Sequence, residues 1–112
     1  MPLFMVRFGY KPEVWARLVQ QPENREQLVG DAMAESGAKL LGLWYAFGEC
    51  DGYALLDAPS NEVAAGLSIA ITATGAFRSF ETTPLMTQEE AFGALRVAAE
   101  SRYHAPAAPV PA

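Results

Sequence analysis

The strand-like segments of this chain are apolar on both sides, and that feature limits the fold more than any other. "LFMVRFGY" (3–10) carries Phe4, Val6, Phe8 and Tyr10 at its even positions. Successive side chains of a strand point to opposite faces, so these four make one apolar row. The odd positions, Leu3, Met5, Arg7 and Gly9, make a second row that is also largely apolar. "KLLGLWYAF" (39–47) repeats the pattern, with Leu41, Leu43 and Tyr45 set against Leu40 and Trp44. A sheet covered by helices on one face normally turns alternating polar residues to water on the other. Here the second face would be a large sticky patch. The simplest way to cover it is the same face of a second copy. A homodimer joined through the sheet is therefore expected, with the two sheets closing into a barrel-like core.

The rest of the chain supplies the layer for the first face. Pro12 suits the first turn of a helix, and Val14, Trp15, Leu18 and Val19 follow at helical spacing. Pro22 interrupts this helix, and the spacing resumes through Leu28, Val29, Ala32 and Met33 up to a Gly37 cap. "GYALLDA" (52–58) reads as a third strand, forming a hairpin with the second through the turn "GECD" (48–51). Ser60 is placed to cap a helix carrying Val63, Ala64, Leu67, Ala70 and Ile71, which ends at Gly75. "AFRSFETTPL" (76–85) reads as the fourth strand. "TQEE" (87–90) is a capping box for a last helix to about Tyr103. The order gives an α+β, ferredoxin-like fold: a four-stranded antiparallel sheet with helices on one face, dimerising as an α+β barrel. A single domain is expected over 1–103, with a Pro- and Ala-rich tail over 104–112.

Charge and cysteine usage narrow the partners. The net charge of −5 argues against nucleic acid and against an anionic membrane surface, because both need a basic patch. No stretch is apolar and long enough to span a bilayer, and "MPLFMVRFGY" lacks the basic start of a signal peptide. A single cysteine forms no internal disulfide, which fits a cytoplasmic location. The only histidine, His104, stands at the start of the tail without metal-ligand neighbours. No metal, haem or other cofactor is expected.

Few residues offer chemistry. In the turn, Glu49 and Asp51 flank Cys50, and two carboxylates would raise a thiol's pKa, the wrong direction for a nucleophile. The turn reading is preferred: Gly48 and Gly52 supply unusual torsions, and Asp51 bonds local amides. Arg7 and Arg78 lie within strands and need a carboxylate partner or a ligand. With Trp44, Tyr45 and Tyr53 they are the candidate lining of a ligand pocket.

The run "LWYAFGECDGYALLDAPSNEVAA" resembles the GYD-domain family, whose motif is Gly-x-Tyr-Asp followed by an apolar strand and an Ala-Pro. Gly48 and Asp51 match the motif, and Ala58 and Pro59 follow at the family's distance. Cys50 stands where the family has its tyrosine. "FRSFETTPLMTQEE" and "MPLFMVRFGY" are similar to the family's last and first strands, so the resemblance covers about residues 2–95. It implies a place among the dimeric α+β barrels, a group that includes cofactor-free monooxygenases, isomerases, dye-decolourising enzymes and haem enzymes. The expected function is a homodimer with a small-molecule-binding or regulatory role. The alternative is a cofactor-independent monooxygenase or isomerase acting on an apolar or aromatic substrate, and the third reading is a structural oligomerisation module.

Overall fold

A computed structural model describes residues 2–107. β1 (Leu3–Tyr10) leads into α1 (Pro12–Gln20) and α2 (Arg25–Ala34). Then follow β2 (Lys39–Tyr45), β3 (Gly52–Asp57), α3 (Asn61–Thr72), β4 (Phe77–Leu85) and α4 (Gln88–Glu100). The strands form one antiparallel sheet in the order β2-β3-β1-β4, which is the ferredoxin-like arrangement. β1 lies in the middle of the sheet, which suits its apolar composition.

The helices cover the face that carries Phe4, Val6, Phe8 and Tyr10, together with Ala54 and Leu56 of β3. Val14, Trp15 and Leu18 of α1, Val29 and Met33 of α2, and Val63, Ala64, Leu67 and Ile71 of α3 pack onto them. Burying each large side chain is worth roughly 1.5–3 kcal/mol, so this layer is the main source of stability. The helices begin where capping chemistry allows. Asn24 Oδ1 accepts from Gln27 N–H at 3.1 Å, and Ser60 Oγ from Val63 N–H at 3.2 Å. Gly37 takes a φ of 78°, a value that favours glycine, just past the end of α2. The break expected at Pro22 separates α1 from α2.

The faces of β2 differ from the simple alternation. Leu40 pairs with Leu56 and Gly42 with Leu55, so Leu41 is an unpaired bulge residue. Beyond the bulge, Leu43 and Tyr45 pair with Ala54 and Gly52 and turn to the helices, while Trp44 pairs with Tyr53 on the other face. Unbroken alternation put Leu43 and Tyr45 on the open face with Leu41. One extra residue reverses that assignment.

The open face carries Leu3, Met5, Arg7, Trp44, Tyr53, Leu55 and Leu85 by register. Trp44 lies back over Gly42, and Arg78 over Gly9, where any side chain would collide with them. α4 begins on a complete capping box: Thr87 Oγ1 accepts from Glu90 N–H, and Glu90 Oε1 from Thr87 N–H. It ends at Glu100, short of Tyr103, and none of its residues is buried. Phe92, Leu95 and Val97 are exposed along it. Of the expected tail, residues 104–107 carry no helix or strand, and 108–112 lie outside the described residues.

Candidate functional site

The β2–β3 connection, residues 46–51, folds back onto the end of β1. Ala46 N–H donates to Asp51 C=O at 2.8 Å, and Asp51 N–H donates to Phe8 C=O at 2.8 Å. Asp51 then ties four elements together. Its Oδ2 accepts from Tyr10 N–H at 2.9 Å and from Trp15 Nε1–H at 3.1 Å. Its Oδ1 accepts from Arg78 Nη2 at 3.3 Å, and the same nitrogen donates to the Glu49 carbonyl at 3.2 Å. These partners are distant in sequence, not the local amides expected of a turn aspartate. Burial pushes the Asp51 carboxyl up, but the indole, the Tyr10 amide and Arg78 together outweigh it and hold it below the usual carboxylate range. Asp51 is a structural staple, and Arg78 completes it.

The glycines of the turn divide their work. Gly48 takes a φ of 146°. Gly52 has no positive φ; it makes room for the Phe8 ring and the Trp44 carbonyl.

Cys50 is buried and free. Its surroundings reverse the expectation drawn from its sequence neighbours. The Tyr53 hydroxyl, followed by the Arg7 guanidinium, favours the thiolate enough to overcome burial and hold the thiol below its ordinary pKa. The sulfur in turn pushes the Tyr53 phenol upward, as burial does, with Arg7 opposing. Arg7 also faces Glu81 across the strand pair at 3.9 Å, a loose and largely exposed ion pair. β1–β3 pairing sets Arg7 opposite Tyr53, with Cys50 just before the strand, so the three meet at one end of the open face. The register carries this cluster; the sequence neighbours of Cys50 do not reveal it.

A cavity of about 700 Å³ lies on the other side, between the helices and the sheet. This is within the roughly 300–1,000 Å³ range of small-ligand sites. Val6, Phe8, Leu43 and Ala54 form part of its floor, and Val14, Leu18, Val29 and Met33 part of its roof. Ile71, Phe77 and Phe80 close one flank. The polar side chains come mostly from the end of α1 and the connection to α2: Arg17, Gln20, Gln21, Glu23 and Arg25. Tyr10 also lines it. Burial, and then the neighbouring Tyr45 hydroxyl, push its phenol well above the ordinary tyrosine range, with Arg25 opposing them. Tyr10 therefore stays protonated and is a hydrogen-bond donor at neutral pH.

A family model described as GYD domain matches residues 4–95. The chain belongs to the GYD-domain family. No curated protein and no solved structure matches it. In this GYD domain the motif aspartate is the staple just described, and the third motif position, Cys50, is close enough to Tyr53 and Arg7 for both to lower its pKa.

The five candidate lining residues do not gather in one place. Arg7, Trp44 and Tyr53 share the open face. Tyr45 sits among the helix-side aromatics, its ring 5.6 Å from Trp15 and 6.4 Å from Tyr10 between centroids. Arg78 holds Asp51. None of the five lines the cavity. Sequence reasoning missed Tyr10 and Arg25 there; the Pro22 break, which brings the connection over the end of the sheet, was the available signal. Among the described residues, no group of three or more His, Cys, Asp or Glu could hold a metal ion. No helix of the described residues is long and apolar enough to cross a membrane.

Proposed function

We propose that this GYD-domain protein binds a small apolar molecule in the cavity beneath α1 and α2, and works as a homodimer joined through the open sheet face in the cytoplasm. The cavity carries the reading: about 700 Å³ of mostly apolar wall, with polar groups concentrated at the end of α1 and its connection to α2, beside the Tyr10 phenol. A solid interior would have favoured a purely structural module. The described wall holds one carboxylate, Glu23, and no thiol or histidine, so binding is better supported than turnover by acid–base or nucleophilic chemistry. For the dimer, the support is the apolar open face, where Trp44 and Tyr53 remain exposed beside the half-buried Leu3, Met5 and Leu55. The single free cysteine fits a reducing compartment.

The test of binding is native mass spectrometry of protein purified from its own host. A retained small molecule, released by denaturation and lost when Val29 or Phe80 is replaced by a charged residue, is the expected result. A ligand-free spectrum, with no stabilisation by any of a panel of apolar compounds, refutes the reading. Size in dilute solution tests the dimer, and a stable, folded monomer there overturns it.

A further inference from the structure

We propose that the ligand is an apolar monoanion, a carboxylic acid with an aliphatic or aromatic body, and that Arg25 and Tyr10 receive its head group. This rests on the cavity being a binding site, as proposed above. The cations along the described wall are Arg17 and Arg25. Arg17 is accounted for by its own helix. It is exposed in the last turn of α1, where a positive charge complements the helix dipole. Arg25 has the opposite setting. It is the first residue of α2, where the dipole disfavours a cation, so its helix gives no reason for it.

Arg25 is also the more enclosed of the two, its side chain 31% exposed on the cavity wall and close enough to the Tyr10 phenol to influence it. What holds it there is Glu23, whose Oε1 accepts from Arg25 Nη1 at 3.0 Å. Glu23 lies two residues away in the same connection, with a half-exposed side chain. Such a pair contributes little to stability. Chemically, it puts a carboxylate on a guanidinium at the edge of an apolar cavity, the arrangement a bound acid would make. A guanidinium has five N–H donors in a planar fork that matches a carboxylate. Glu23 uses one of them in the structure. The protonated Tyr10 hydroxyl offers a further donor, and the apolar wall takes the body. The chain as a whole carries −5, so an anion has to be recognised by such a local cation.

The test measures affinity of the full chain for two matched pairs: dodecanoate with dodecanol, and phenylpropionate with phenylpropanol. For at least one pair, the acid is expected to bind about tenfold tighter than the alcohol, the scale of one hydrogen bond to a charged group. Arg25→Met should abolish that preference, so that acid and alcohol bind the variant with similar affinity. Glu23→Gln, which frees the guanidinium, should strengthen the acid severalfold. Circular dichroism confirms that each variant is folded. Equal binding of acid and alcohol overturns the anion assignment and leaves the cavity as a binding site. An acid preference that survives Arg25→Met overturns the role of Arg25. Binding of none of the four overturns the site together with the inference.

Discussion

On the helix side of the sheet, Phe4, Val6, Phe8 and Tyr10 are no more than 5% exposed; on the other side, Trp44 is 54% exposed and Tyr53 38%. The first set comes from β1 and the second from β2 and β3, and both faces of the sheet are similarly apolar. The difference is what lies above them: α1, α2 and α3 over one face and, among the described residues, no helix over the other. The covered face is a source of stability within one chain. The open face holds apolar area whose burial needs a second molecule.

Substitutions should separate the two faces, and the largest effect falls on the covered one. Phe8→Ala is expected to cost ~3–5 kcal/mol in chemical denaturation, because it removes a buried ring at the centre of the sheet. Trp44→Ala should cost the single chain less than half as much and act instead on self-association, read as a shift to lower mass in dilute solution. Equal destabilisation by the two would erase the distinction between the faces.

The Asp51 staple comes next. Asp51→Asn keeps the shape but loses the charge of the bonds from Arg78, Trp15 and Tyr10, and should cost about 1.5–3 kcal/mol. Its carboxyl is held below the ordinary range, so its contribution is present above the unfolded value of about 3.9 and is lost as pH falls through the lower folded value. Stability of the wild type should therefore fall more steeply than that of Asp51→Asn over this acid range.

A smaller effect distinguishes the ends of the open face. The Cys50 thiol should ionise below its usual range, and Tyr53→Phe should move its midpoint upward, as followed by thiolate absorbance. A midpoint unchanged by that substitution would show that the phenol does not act on the sulfur. The smallest effect belongs to α4. A chain ending at Met86 should keep its cooperative unfolding, with a midpoint changed by only a few degrees, since no α4 residue is buried.

Strand alternation and helical spacing made most of the architecture legible, down to the Pro22 break and the Thr87 capping box. The faces of β2 were not legible, because a bulge is a property of pairing: "LLGLW" alternates equally well whether Leu41 is paired or skipped. For Asp51, the sequence shows the turn but not its partners, Tyr10 and Trp15, which lie 41 and 36 positions away. The thiol environment failed for the same reason. Glu49 and Asp51 are next to Cys50 in the chain, yet Tyr53 and Arg7 govern it. The cavity leaves no mark in the sequence beyond the Pro22 break that borders it, since its size depends on how far α1 and α2 stand from the sheet.

The reach of Asp51 bears on the order in which the molecule assembles. Its bonds need β1, α1 and β4 already in place, and each closes a long stretch of chain. Contacts of such sequence separation are entropically costly to form early. The signature loop should therefore lock late in folding. Its amides should also be among the first to exchange with solvent when the sheet loosens, so the family motif doubles as a reporter of a completed domain.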